Sequence, residues 1–441
     1  MPRRNLVWIL AIVTISLICW QPAQSATEDE NYALFRTFVD TLEQVERNYV
    51  KPVDRRELFE GALRGIMETL DPYSNYISEE ELQQFTTHVE QKFGGIGIQI
   101  SLDEDTRQLT VMSPLVGTPA YNAGVLAGDK IIAIEGESTK GITLEDAVKK
   151  LKGDPDTKVT ITVLHETKEG MLIEPEEITI TRAIIHIETV LGDTRKEDAS
   201  WDFMLDKENK IGYVRLMAFS KETAGELRKA IEELQGQEMK GLILDLRSNP
   251  GGLLTSAIEI SDMFVSEGTI VSTEGRNHEA RTWTANRRGT LEDFPMVVLV
   301  NQFSASASEI VSACLQDHNR AVIVGERTWG KGSVQNVIQL EGGRSALKLT
   351  TASYQRPSGK NIHRFKDAKE EDEWGVMPNE GYLVKYDVDE LRNYFKNRRD
   401  RDVVRNGDAA PQNGEEPDAK FIDRQMSKAL EYLTGQLAKA N

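Results

Sequence analysis

Between residues 211 and 324, short and almost wholly apolar runs alternate with segments of helical period. The apolar runs are 211–216, 241–246, 296–300 and 321–324, and the helical segments between them are 221–234, 254–264 and 306–316. A strand facing water on one side alternates apolar and polar residues. A strand apolar at every position must be covered on both faces. Parallel neighbours need crossovers of a dozen or more residues, usually helical, and the intervening segments supply them. The pattern therefore predicts an α/β domain around a largely parallel, buried sheet.

The rest of the chain divides by similar signals. Residues 28–92 read as helices at 32–50, 55–70 and 79–89. Phe35, Phe38, Val39, Leu42 and Val45 recur at the spacing of one helix face, and Ser78 with Glu81 forms a capping box. From Phe93 the pattern becomes short β runs at 96–101, 109–112, 130–134 and 159–164, broken by one helix over 143–151. This β-rich module ends near Arg182. After Tyr386 the chain becomes charged, 406–419 reads as a polar linker, and 421–439 is an amphipathic helix.

At the start, Arg3 and Arg4 precede an uncharged, mostly apolar run from Leu6 to Trp20, followed by Ala23-Gln24-Ser25-Ala26. That run is short for a membrane span and suits a secretory leader cleaved near residue 26. The expectation is an exported, periplasmic or otherwise extracytoplasmic protein, membrane-anchored if the leader stays uncleaved. Cleavage removes Cys19 and leaves Cys314, which excludes an internal disulfide. The chain carries 53 basic against 71 acidic residues, a net charge of -18. Such a surface repels phosphate backbones, so nucleic acid is not an expected partner. Two cysteines exclude a four-cysteine zinc site, and no His-Glu-x-x-His motif supports a zinc protease. No Gly-x-Ser-x-Gly elbow is present either.

Three segments could carry chemistry. Asn301-Gln302-Phe303-Ser304-Ala305-Ser306-Ala307-Ser308-Glu309 joins an apolar strand to a helix. A serine there has exposed N–H groups and the helix's positive end beside it, which suits a nucleophile and a developing oxyanion. The same letters also suit an ordinary Ser-rich N-cap. Gly330-Lys331-Gly332-Ser333-Val334-Gln335 puts a lysine between two glycines after a buried strand. A lysine acts as a general base only when neutral, and burial favours the neutral form. A surface lysine in a Gly-rich turn fits equally. Gln335 would be roughly 13 Å from Lys331 along a straight strand, so a contact requires a bend at Gly332 or a helical turn. Asp245-Leu246-Arg247-Ser248-Asn249-Pro250-Gly251-Gly252 places paired glycines at a strand-to-helix turn, as one arm of an oxyanion hole or as a tight turn alone.

Together these strings resemble the carboxy-terminal processing peptidases, the tail-specific serine proteases that carry a PDZ domain. The resemblance covers most of residues 30–385. It implies Ser306 as nucleophile, Lys331 as general base, Gln335 as the residue that positions the lysine, and Ala307 with Gly251 or Gly252 as the oxyanion hole. Asp317 stands where a third charge-relay member is sometimes placed, yet eleven residues of helix put it roughly 16 Å from Ser306. Gly94-Gly95-Ile96-Gly97-Ile98 resembles a PDZ carboxylate-binding loop, which makes Gly95, Ile96, Gly97 and Ile98 the expected contacts of a substrate C-terminus. Pro119-Ala120, Ala123-Gly124 and 128–136 resemble the PDZ core sequence, with helix 143–151 as the other wall of the groove.

The expected fold is multidomain α+β. It comprises a leader (1–26), an N-terminal helical arm (27–92), a β-rich PDZ domain (93–185), an α/β, crotonase-like serine protease core (186–385), and a linker with a C-terminal helix (386–441). The expected activity is that of an exported serine endopeptidase that takes protein C-termini through its PDZ domain and cleaves by a Ser–Lys dyad. It needs neither metal nor cofactor. By resemblance, the terminal helices support a homodimer, and a regulatory adaptor is an expected class of partner. Two rival readings are a non-catalytic PDZ adaptor or chaperone on a protease-like fold and a crotonase-like acyl-CoA enzyme.

Overall fold

The computed structural model describes residues 22–103, 106–165, 174–291, 294–404 and 421–440. The predicted leader up to residue 21, with Cys19, and the whole polar linker 406–419 lie outside the described residues. Among the described residues no helix is long and apolar enough to cross a membrane. The chain forms two compact units, residues up to 82 with 335–350, and residues 83–334 with 351 onward.

The smaller unit contains the predicted helical arm up to Leu82. Its first helix among the described residues, Pro22–Asn48, already includes residues 22–26. It therefore begins before the cleavage position expected from sequence. The second, Arg55–Glu68, is capped by Asp54, whose carboxylate accepts from the Arg56 and Glu57 N–H groups. Ser78 and Glu81 make the predicted reciprocal cap on the helix that follows. What the sequence concealed is that residues 335–350 belong with these helices. Asn75–Ile77 pairs antiparallel with residues 346–348, burying Tyr76, and Arg56 clasps Glu341 at 2.6 and 2.8 Å.

In the larger unit, the β-rich module is an antiparallel sheet in which Ile98–Leu102, Leu109–Pro114, Lys130–Ile134, Lys158–Leu164 and Glu176–Thr181 follow in order across the sheet. Val159, Ile161 and Val163 are buried while their neighbours are not, the period of two expected of a strand with one covered face. Helix Leu144–Leu151 is capped by the Thr143 hydroxyl and buries Ala147 and Leu151 in the same core. The chain entering the module, Lys92–Gly95, pairs antiparallel with the chain leaving it, Ala183–His186.

The second sheet holds the predicted parallel layer. Its strands are β1 (Val190–Leu191), β2 (Met204–Asp206), β3 (Ile211–Leu216), β4 (Gly241–Asp245), β5 (Met296–Val300) and β6 (Val322–Gly325). Strands β3 to β6 are parallel and adjacent in chain order, and β1 and β2 both pair antiparallel with β3. The connections carry helices α1 (Thr223–Gly236), α2 (Leu254–Asp262) and α3 (Ala307–Asp317). Leu242, Leu244, Val298 and Val300 face these helices. Ile243, Val297, Leu299 and Val324 face the other side, where Ala429 and Leu433 cover them. Every position of β3, β4 and β5 is therefore buried, which explains their continuous apolar runs. Cys314 packs inside α3, and burial pushes its thiol up to about 12.

Two helices close the chain, α4 (Val388–Asp402) and α5 (Arg424–Ala440). Helix α4 was unexpected because its sequence is charged and shows no apolar stripe. A capping box of Asp387 and Glu390 starts it; Tyr394 is buried under the Arg247 guanidinium, Phe395 meets Phe303, and the charged residues are ion-paired. Arg398 binds Asp193 and Asp402, and Asp402 also binds Arg215 at 2.6 Å. At the root of α5, Asp423 accepts from Arg247 at 2.9 Å, and Arg247 also grips Asp245 at 2.6 Å. Asp245 and Arg247 are completely buried, and Tyr213 Oη donates to Asp245 at 2.8 Å. Burial opposes the charge on Asp245, but Arg247 holds its carboxyl below the usual carboxylate range. Removing one partner of such a pair strands the others in a medium that cannot solvate them. Arg247→Ala is accordingly expected to cost about 3–5 kcal/mol of stability, read as a lower urea midpoint for unfolding of the larger unit.

Candidate active site

The end of β5 turns into α3 through residues 301–306, and the end of β4 turns into α2 through residues 246–253. The two turns lie side by side at the same end of a parallel sheet, where ligands of open α/β sheets bind. Buried polar side chains lace them together. Asn301 Oδ1 accepts from Ser248 N–H at 2.8 Å, and Ser304 Oγ donates to the Leu246 carbonyl at 2.8 Å. Ser308 Oγ donates to the Asn249 carbonyl at 2.9 Å, and Asn249 Nδ2 donates to the Leu216 carbonyl at 2.9 Å. The serines and asparagines around Ser306 therefore fix the two backbones rather than react.

Ser306 itself occupies the N-cap of α3 with φ 55° and ψ -112°. A residue with a Cβ rarely adopts positive φ, and such strain collects at functional sites. The sequence lacks Gly-x-Ser-x-Gly, which argued against a nucleophile elbow. The backbone nonetheless turns sharply from strand to helix at this serine, with Ser304 and Ser308 at the positions of the two glycines and small Ala305 and Ala307 beside it. Ser306 is 8 % exposed, and helix α3 begins directly after it.

Gly251 has φ +100° and lies directly against this elbow. A Cβ there would sit 2.7 Å from the Ala305 carbonyl oxygen, 2.8 Å from Ser306 Cβ and 2.9 Å from Ala307 N. Its own N–H donates to Asn249 Oδ1 at 2.9 Å. Of the two glycines, Gly251 thus serves close approach, and its N–H is already engaged. Gly252, at φ +148°, passes as closely to Phe219, whose N–H and carbonyl bond to the residues on either side of Gly252. The sequence did not separate these two roles.

The lysine segment reaches the same elbow through one buried carboxylate. Glu309 is completely inaccessible to solvent. Its Oε2 accepts from Ser306 N–H at 2.8 Å and from Lys331 N–H at 2.8 Å. Its Oε1 accepts from Gly330 N–H at 2.7 Å and Thr328 Oγ1 at 2.6 Å. Burial raises its carboxyl to about 6, against the pull of these four donors. Trp329 N–H donates to the Ser304 carbonyl at 2.9 Å, a second tie between the segments. On the other side Gly330 and Gly332 meet residues 363–364 so closely that a Cβ would lie 2.6 Å from Arg364 Cβ or 2.5 Å from His363 N. Both glycines around Lys331 are therefore demanded by packing.

The other expected site residues are less closely gathered. Gln335 lies on strand Ser333–Leu340 in the smaller unit, and its Nε2 is 3.5 Å from Thr350 Oγ1. The chain is extended from Ser333, so no helical turn brings Gln335 back toward Lys331 along the sequence. Asp317 ends α3, at the opposite end of that helix from Ser306. Its carboxylate accepts from Arg356 at 2.6 and 2.9 Å and from Ser358 N–H at 3.0 Å. Burial opposes its charge, but Arg356 keeps it below the usual range. Asp317 is thus an ion-pair partner of Arg356 at the far end of α3 from Ser306. In the β-rich module Gly95 pairs with Ala183, Ile96 is buried in the core, and Ile98 opens the first strand of the sheet. Gly97, at φ +82°, packs so closely that a Cβ would fall 2.3 Å from Thr118 Cβ. Among the described residues no cluster of His, Cys, Asp and Glu could hold a metal ion.

The model of peptidase family S41 matches residues 210–373, that of a PDZ domain residues 110–164, and that of the activating protease CtpB N-terminal domain residues 19–81. A carboxy-terminal-processing protease of Bartonella bacilliformis is 36% identical over 456 residues, covering 99% of this chain and 97% of its own length. A carboxyl-terminal-processing protease of Synechocystis is 36% identical over 337 residues, 75% of this chain and 73% of that protein. A solved Bacteroides fragilis structure ascribed to the S41 proteases aligns over 90% of this chain and 97% of its own, with a TM-score of 0.52 and 17% identity, a likeness of fold. The β-rich module is thus a PDZ domain, and the chain belongs to peptidase family S41, among the carboxy-terminal processing serine proteases.

Proposed function

We propose that this protein is an exported endopeptidase that binds the C-terminal tail of a protein substrate in its PDZ groove and cleaves near that tail with a Ser306–Lys331 dyad. The observation that carries the reading is the shared anchorage of the two residues. Ser306 sits in a strained elbow at the head of α3, and one carboxylate, Glu309, accepts from the backbones of Ser306 and Lys331 together. Ser306 Oγ attacks the scissile carbonyl, and neutral Lys331 takes its proton. Lys331 returns that proton to the leaving amine, and water then hydrolyses the acyl-serine by the reverse logic. The N–H groups of Gly252 and Ala307 hold the oxyanion, and Gly251 lets the two turns close on each other beside Ser306. Gln335 is the residue we assign to orienting Lys331. No cofactor enters any step.

Within the PDZ domain, the loop Gly95–Ile98 receives the terminal carboxylate, and the tail adds as a strand beside Ile98–Leu102. The domains run as leader 1–26, helical arm 27–92, PDZ 93–185, crotonase-like core 186–385 and C-terminal segment 386–441. The arm exposes Tyr32, Leu34 and Phe35 along one helix, a surface suited to a second copy of the chain or to a regulatory adaptor.

A pair of reporter proteins tests the substrate reading. Both end in the same apolar tail, one as a free carboxylate and the other as a C-terminal amide. The carboxylate form is expected to be cleaved with a KM about tenfold lower or more, the scale of one charge-assisted hydrogen bond of 1.5–3 kcal/mol. Equal KM values for the two would overturn recognition of the terminus.

A further inference from the structure

Glu309 has no role in the proposed proton transfers, yet it is the group on which the elbow and the lysine segment converge. We infer that Glu309 is a positioning residue whose carboxylate sets the register between the Ser306 elbow and the Lys331 segment. The inference rests on the Ser306–Lys331 reading, and its test is chosen so that the two can fail separately.

Four observations carry it. Glu309 is completely buried, where an ionised carboxylate is costly unless every lone pair is used. Its two oxygens are used in pairs, and each pair includes a donor from the lysine segment. Oε2 joins Ser306 N–H to Lys331 N–H, and Oε1 joins Gly330 N–H to Thr328 Oγ1. The donors come from positions 19 to 22 residues away in sequence as well as from its own N-cap. Finally, Thr328 Oγ1 is itself held, accepting from Val376 N–H at 2.7 Å, so the donor cannot swing away. A capping glutamate needs only the bond to the N-cap N–H. The three further bonds have nothing to do with starting a helix. They fix the main chain on which the proposed base stands.

Charge and length both matter in this geometry. A glutamine has one acceptor oxygen and one donor nitrogen. Its amide N–H₂ would face Gly330 N–H and the Thr328 hydroxyl, or else Ser306 N–H and Lys331 N–H; the first placement leaves Gly330 N–H, next to Lys331, unpaired, and the second opens both bonds that join the elbow to Lys331. Aspartate is one methylene shorter and cannot reach both segments at once. A misplacement of about 1 Å between reacting groups costs about 10²-fold in rate.

The test measures kcat and KM on the tail reporter for the full mature chain and four variants, with thermal unfolding alongside. Glu309→Gln is expected to lower kcat about 10²-fold with KM within twofold of wild type. Thr328→Val, which removes one donor with little change of shape, is expected to lower kcat about tenfold, and Thr328→Ser, which keeps the hydroxyl, to restore it. Ser306→Ala is inactive in the same assay if the dyad reading holds. Wild-type kcat in Glu309→Gln, with Ser306→Ala inactive, would overturn the positioning role and leave the dyad standing. An active Ser306→Ala would overturn the dyad and this inference with it. If Glu309→Gln does not fold, the threonine pair decides, and equal kcat in Thr328→Val and Thr328→Ser rejects the inference.

Discussion

Ser306→Ala is expected to lower turnover of a tail substrate by about 10⁴-fold or more, the scale of losing a serine nucleophile, and to leave the fold intact. The size follows from what the remaining site can do. Without Oγ no acyl-enzyme forms, and any residual hydrolysis relies on water, bound substrate and the oxyanion donors. The fold is spared because the elbow is held by other atoms. The Ser306 N–H bond to Glu309, the Ala305 N–H bond to the Asn249 carbonyl and the Ser304 hydroxyl all survive the substitution. Alanine also has the Cβ that the strained φ of 55° already accommodates. Unchanged thermal unfolding and substrate binding, measured beside the rate, separate lost chemistry from lost structure.

Lys331→Met is expected to lower kcat by about 10³-fold or more, within the range of general acid–base contributions. Methionine matches the length and the apolar stem of lysine but cannot accept or return a proton. The segment should keep its path, since Gly330 and Gly332 pack against residues 363–364 and the Lys331 N–H stays on Glu309 whatever the side chain. The loss should therefore fall on kcat, with KM for the tail reporter unchanged.

The parallel layer could be read from sequence because its physics is local to each strand. Burial on both faces leaves no polar letters in 296–300, and the helices between strands keep their own period. The PDZ core was legible for the same reason, though strand Glu176–Thr181, with only Ile178 and Ile180 buried, escaped. Helix α4 escaped because its charged residues are covered by ion pairs from distant parts of the chain. Arg398 and Asp402 look like a solvated face until Asp193 and Arg215 are brought to them from 200 residues away in sequence. The site divides along the same line. Ser306, Lys331 and the paired glycines stood out as letters in short strings. The elbow at Ser306 did not, because Ser304 and Ser308 stand where the motif has glycines. Glu309 reads as a capping residue, which it also is. Its bonds to 328–331 depend on two loops meeting in space, and no spacing rule records that. Likewise nothing in the string Asn249–Gly252 tells which glycine has its N–H engaged, since the Asn249 side chain decides it.

The central claim is that a neutral lysine moves the proton, and Lys331→Arg tests it most directly. Arginine keeps the positive charge, the length and the hydrogen-bond donors, but its pKa above 12 keeps it protonated at every working pH. The measurement is kcat on the tail reporter for Lys331→Arg beside wild type and Lys331→Met, with folding checked by thermal unfolding. A lysine base predicts that the arginine variant is as inactive as the methionine variant. Activity in Lys331→Arg within about tenfold of wild type would contradict the account, because a residue that cannot give up its proton would then be supporting catalysis.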